Sequence, residues 1–137
     1  MNIEHGKKYL LWDGDCGVCA RSVEFARRIH CSDFVFAPYQ ACGVDTLNAV
    51  GLTPDRCAHE LKVVAENGRV YGGAFAVNYF LWHNGAWRIL VAVLYALPFL
   101  VLAEVLLYRA IAANRATLSK VLGVASCSLH HSTTKED

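Results

Sequence analysis

A four-residue apolar run that stops on a turn and two closely spaced cysteines constrains this chain more than any other feature. Residues 9–12 read Tyr-Leu-Leu-Trp, and Asp13-Gly14-Asp15-Cys16-Gly17-Val18-Cys19 follows at once. A short apolar run bounded by Asp and Gly predicts a buried strand. Over residues 16–30 the period becomes helical: Val18, Ser22, Phe25, Ala26 and Ile29 share one face, with Arg21, Glu24, Arg27 and Arg28 on the other. The two arginines near the C-terminal end suit the helix dipole. Residues 34–37 predict a second strand, stopped by Pro38. Strand, helix and strand in succession imply a right-handed crossover and a parallel pair.

Further along, residues 45–50 predict a short helix with Gly51 as its stop, and Thr53-Pro54-Asp55 a helix start in which Thr53 caps and Pro54 takes the first position. Residues 61–66 and 69–71 flank Asn67-Gly68, a dipeptide expected to supply the positive φ angles of a tight hairpin. Gly72-Gly73 leads into a helix over residues 74–83, which Asn84-Gly85 breaks. Residues 87–96 and 99–122 predict the last helices, with Gly123 as stop. The order β-α-β-α-β-β-α is that of an α/β, thioredoxin-like core, here with an added C-terminal helical pair. One domain is expected: core over about residues 8–85, helices over about 86–123, and a polar tail over 128–137 that frays.

Composition narrows the function. Of 137 residues, 55% are hydrophobic and 18% charged, which excludes a disordered chain. Up to Gly73 there are 8 basic and 9 acidic residues and after it 5 and 3, so nucleic-acid binding through phosphates has no electrostatic support. Lys7 and Lys8 precede an apolar run that ends after four residues at Asp13, too short for a signal-peptide core. The six cysteines (Cys16, Cys19, Cys31, Cys42, Cys57 and Cys127) are therefore expected to be reduced, in a cytoplasmic protein. Residues 89–103 carry no charge, yet as a helix they span roughly 22 Å against a hydrocarbon core of about 30 Å. Arg88 and Glu104 close the stretch and Pro98 interrupts it, which predicts two buried helices meeting near Pro98. A membrane-dipping hairpin is the alternative.

Chemistry concentrates at the cysteine pair. Two cysteines spaced Cys-x-x-Cys at a helix start fall within one turn, and the first lies where unpaired amide donors favour its thiolate. Cys16 is expected to be the accessible nucleophile, and Cys19, turned towards Ser22, Val23 and Ala26, the shielded partner that resolves a mixed disulfide. A carboxylate ~7 Å from Cys16 opposes its charge by ~0.6–2.4 kcal/mol. The helix terminus favours that charge by ~0.3–1 kcal/mol, up to about 2. These nearly cancel, so a modestly lowered Cys16 pKa and a reducing couple are expected. Asp13 is a candidate base for the Cys19 proton, and Asp15 a candidate for the same site or for plain helix capping.

Competing readings exist. Zinc needs two more ligands, and His30, Cys31, Cys42, Cys57 and His59 form no second close pair. Covalent haem needs His after the second cysteine, where Ala20 stands. A structural thiol pair is the plain alternative. Cys31, Cys42, Cys57 and Cys127 read as incidental thiols. His5, His30, His59 and His83 read as surface or cap residues, and His130-His131 as a weak metal signal.

The Asp13–Cys19 motif, continued through Arg21, Ser22 and Val23, resembles the opening motif of the DCC family of thiol-disulfide oxidoreductases. The likeness recurs at Asn67-Gly68-Arg69-Val70-Tyr71-Gly72-Gly73 and at Tyr108-Arg109-Ala110-Ile111-Ala112-Ala113-Asn114-Arg115. It covers roughly residues 8–123. The resemblance implies a thioredoxin-like fold and dithiol–disulfide exchange, with Cys16 and Cys19 as the redox pair. Thioredoxins in general place a cis-proline before the third strand. Here His59-Glu60-Leu61 occupies that place and the nearest proline is Pro54. For Tyr108, Arg109, Asn114 and Arg115, tying the late helix to the sheet is expected before a role at the site.

The function expected is thus a thiol-disulfide oxidoreductase acting on protein or small-molecule disulfides, fed by an external dithiol donor and needing no metal or organic cofactor. A non-catalytic metal-binding or scaffold domain and a membrane-associated redox partner are the alternatives.

Overall fold

A computed structural model describes residues 1–29 and 33–123. His30, Cys31, Cys127, the His130-His131 pair and the tail over 128–137 lie outside the described residues. The elements are β1 (Lys8–Trp12), α1 (Gly17–Ile29), β2 (Phe34–Pro38), α2 (Val44–Ala49), α3 (Pro54–His59), β3 (Lys62–Val64), β4 (Val70–Gly72), α4 (Ala74–Trp82), α5 (Trp87–Ala96) and α6 (Pro98–Val121).

The sheet runs β2-β1-β3-β4. β1 pairs parallel with β2, Leu10 opposite Phe36, and antiparallel with β3, Leu10 opposite Val63. Because β1 is central and covered on both faces, Tyr9, Leu10 and Leu11 are all buried, which is why this strand reads as an unbroken apolar run. Alternate side chains feed two cores. Tyr9 and Leu11 join Leu47, Leu52, Cys42, Cys57 and Val64 under α2 and α3. Leu10 joins Val23, Val63, Ala76 and Phe80 under α1 and α4. Four strands with helices on both faces and a C-terminal helical pair match the expected thioredoxin-like order. Thr53 caps α3 as its residue type predicts, its Oγ1 accepting the Arg56 amide at 3.3 Å.

Two expectations need correction. The β3–β4 connection is not a two-residue turn. Val64 pairs with Val70, the Ala65 amide reaches the Arg69 carbonyl at 2.8 Å, and three residues lie between Ala65 and Arg69. Only Gly68 takes positive φ, at 79°, the left-handed position of a three-residue loop, while Asn67 Oδ1 accepts the Arg69 amide. The second correction concerns α5 and α6. They meet at Leu97–Pro98 as the sequence predicts, but they are not buried helices. Val91 is the one buried residue of α5, and α6 has none. Each helix packs by one stripe only, and no described element covers the other side.

Candidate active site

The turn from β1 into α1 builds the site from its own backbone. The Cys16 amide bonds to the Asp13 carbonyl at 3.1 Å, and the Ala20 amide to the Cys16 carbonyl at 3.0 Å. That second bond is the first of α1, so Cys16 stands at the N-cap. Its Sγ accepts the Cys19 amide at 3.3 Å, the place where a Ser or Asp oxygen usually serves. Cys16 therefore caps the helix itself. Asp15 does not, since the acceptor position is already filled and its carboxylate meets Gln40 Nε2 at 3.4 Å. The two sulfurs stand near disulfide distance, and both thiols are free.

Exposure runs opposite to expectation. Cys16 is only 7% exposed, whereas Cys19 is half-buried. The cause is the cap: the Cys16 sulfur turns back onto the amide of its own helix instead of outward. It is buried, yet it is a member of neither of the two apolar clusters that cover the sheet. The Cys19 thiol is pushed from 9.0 up to about 12, first by burial, then by its hydrogen bond to Cys16 and by the charge there. Asp13 adds to the rise and Arg115 opposes it.

Asp13 organises the loop. Its Oδ1 accepts the Asp15 amide at 3.1 Å and Gln40 Nε2 at 2.9 Å, and its Oδ2 faces Arg115 at 3.8 Å. Gln40 completes a clamp by accepting the Gly14 amide at 3.1 Å. A Cβ on Gly14 would stand 3.1 Å from Pro38 Cβ and 3.2 Å from Gln40 Oε1, so any larger residue there must push Pro38 or Gln40 back by a few tenths of an ångström. The sequence reading missed Gln40, for which no local pattern exists. Arg115 belonged to the third block of the resemblance, and the structure brings it to the loop from α6.

Where thioredoxins place their cis-proline, this chain does something different. The Leu61 amide donates to the Tyr108 hydroxyl at 3.0 Å, and the Leu61 carbonyl accepts the Gly73 amide at 3.0 Å. Both backbone groups are thus used inside the fold. Tyr108 ties α6 to the sheet as expected, and Asn114 merely bonds the Ala110 carbonyl of its own helix. Next to Leu61, buried Lys62 pairs with Glu60 over Gly72, where a Cβ would lie 2.6 Å from Glu60 Oε1.

An apolar groove of about 600 Å³ runs between α1 and α6, lined by Val18, Phe25, Leu61, Trp87 and Ile111, with Cys19, Asp13 and Arg115 also on its wall. The remaining described candidates are elsewhere. Cys42 and Cys57 are buried in the first core and their thiols are raised by that burial. His59 is exposed and paired with Asp55 at 3.3 Å. Among the described residues no three His, Cys, Asp or Glu side chains are grouped to hold a metal ion.

A cysteine pair at the mouth of the first helix, on a four-stranded mixed sheet, defines a dithiol domain of the thioredoxin-like class. The chain matches the family model of DCC1-like thiol-disulfide oxidoreductases over residues 10–121. It belongs to that family. No curated protein and no solved structure matches it.

Proposed function

We propose that the protein reduces protein disulfides, with Cys16 as the attacking sulfur and Cys19 as the resolving one. The observation that carries this order is the asymmetry of the pair. Cys19 keeps its proton to about 12, while the Cys19 amide and thiol both donate to the Cys16 sulfur.

In the first step the Cys16 thiolate attacks one sulfur of the substrate disulfide. A Cys16–substrate disulfide forms, the substrate S–S bond breaks, and the leaving thiolate takes a proton. Cys19 then gives up its proton and attacks the Cys16 sulfur. The Cys16–Cys19 bond forms and the second substrate thiol leaves, so two electrons pass to the substrate. Asp13, whose charge acts on Cys19, is assigned the Cys19 proton, and its Oδ1 also holds the loop through two hydrogen bonds. Asp15 acts with it through Gln40. An external dithiol returns the pair to the reduced state, in keeping with a cytoplasmic setting. A couple whose second thiol is held protonated gains no stabilisation of its reduced form from a second thiolate, which supports a reducing poise.

Cys19→Ser is expected to accumulate a mixed disulfide at Cys16 with a substrate protein, while Cys16→Ser forms none and reduces no insulin disulfide. Trapping at residue 19 of a Cys16→Ser variant, with turnover retained, overturns the assignment.

A further inference from the structure

The helical pair carries an uncovered apolar face. On α6, Phe99, Leu102 and Leu106 fall along one side, with Ala103 and Ala110 between them. The opposite side faces the core, where Glu104 accepts from Asn78 at 2.8 Å, Tyr108 from Leu61, and Arg115 meets Asp13. On α5 the outward side carries Ile89, Leu90 and Val93 while Val91 is buried beneath. Ile89 is 70% exposed, Phe99 64% and Leu102 62%. A water-soluble monomer seldom leaves such a run of large side chains in contact with solvent.

Charge says what covers it. Between residues 86 and 123 the ionisable groups of clear sign are Arg88, Arg109, Arg115, Lys120 and Glu104. Glu104 and Arg115 are turned inward to Asn78 and Asp13. The exposed charges of this unit, Arg88, Arg109 and Lys120, are all positive. A second copy on a two-fold axis would bring cations against cations with no acid from the same helices to meet them. Anionic headgroups supply that counter-charge. Exposed Trp82 stands just before α5, and Arg88 of α5 lies over its ring at 4.6 Å, the residue types that settle at a headgroup boundary.

We infer that α5 and α6 lay this face on the surface of a bilayer containing anionic lipids. The pair lies on the bilayer and does not cross it. No single described helix is long and apolar enough to span, the two are bent by 111°, and the inner stripe of α6 is fixed to the sheet. The inference is independent of the redox assignment, since none of its residues touches the sulfurs.

The test is co-sedimentation of the full chain with phosphatidylcholine vesicles containing one quarter phosphatidylglycerol, against phosphatidylcholine alone. Binding is expected to the mixed vesicles and to weaken with salt. Neutralising Arg88, Arg109 and Lys120 together as glutamine is expected to weaken it by about fivefold per charge. Leu102→Asp with Leu106→Asp is expected to abolish binding while helix content and disulfide reduction are retained. Wild-type chain that stays in the supernatant overturns the inference, as does undiminished sedimentation of the double variant. A dimer by light scattering that the double variant dissociates, without vesicle binding, assigns the face to a second copy instead.

Discussion

The sharpest consequence of the site is that the more exposed cysteine should be the less reactive one. Cys19 is half-buried against 7% exposure for Cys16, so access alone predicts that an alkylating agent reaches Cys19 first. Its thiol, however, is raised from 9.0 to about 12. At pH 8 this shift lowers the thiolate fraction by roughly a thousandfold, tenfold per unit. A more basic thiolate is also a better nucleophile, with a Brønsted slope of about 0.4–0.5, which returns roughly 15- to 30-fold. The net expectation is alkylation of Cys19 some 30- to 60-fold slower (about) than of an ordinary thiol. The assay is timed iodoacetamide labelling of the fully reduced protein with peptide mapping from pH 7 to 11. The Cys19 rate should climb about tenfold per pH unit without a plateau. A Cys19 rate within threefold (roughly) of a free thiol at pH 8, or a plateau beginning near pH 9, refutes the reasoning. The same shift has a stability sign. Below about 9 both folded and unfolded chains hold this proton. As pH rises from 9.0 towards about 12 the unfolded chain ionises first, so the fold loses stability across that window.

Two further substitutions probe the frame of the site. Tyr108→Phe leaves the Leu61 amide without its acceptor and should cost about 1–3 kcal/mol of stability by urea unfolding, with the Leu61 amide losing hydrogen-exchange protection. Unchanged stability would mean that this bond is replaced by water at no cost. Gly14→Ala puts a methyl 3.1 Å from Pro38 Cβ and 3.2 Å from the Gln40 side-chain oxygen Oε1. It should open the clamp at a cost of about 1–3 kcal/mol and slow mixed-disulfide formation at Cys16; wild-type rates in that variant would show the clamp to be dispensable.

What the sequence made legible is what local pattern encodes. The buried strand at residues 9–12, the helix behind the cysteines and the Thr53-Pro54 start each depend on neighbours within a few positions, and each forms where expected. The hairpin was legible as a hairpin but not as a loop type, because Asn-Gly serves several loop lengths and the pairing of Val64 with Val70 decides among them. Gln40, Arg115 and Tyr108 meet partners 26, 102 and 47 positions away (40 − 14, 115 − 13 and 108 − 61), separations that leave no periodic trace. Cys16 as its own cap was hidden because sulfur is not among the usual capping atoms. The apolar run over residues 89–103 announced helices but not what surrounds them, since hydrocarbon reads alike against a core, a lipid or a second chain.

With both polar groups of Leu61 already spoken for, a visiting polypeptide finds no free main-chain rung there to zip against. If the protein reduces protein disulfides as proposed, selection at this mouth would fall to the apolar groove between the first and last helices. Clients would then be sorted by the residues that flank their cystine and not by a shared backbone pose.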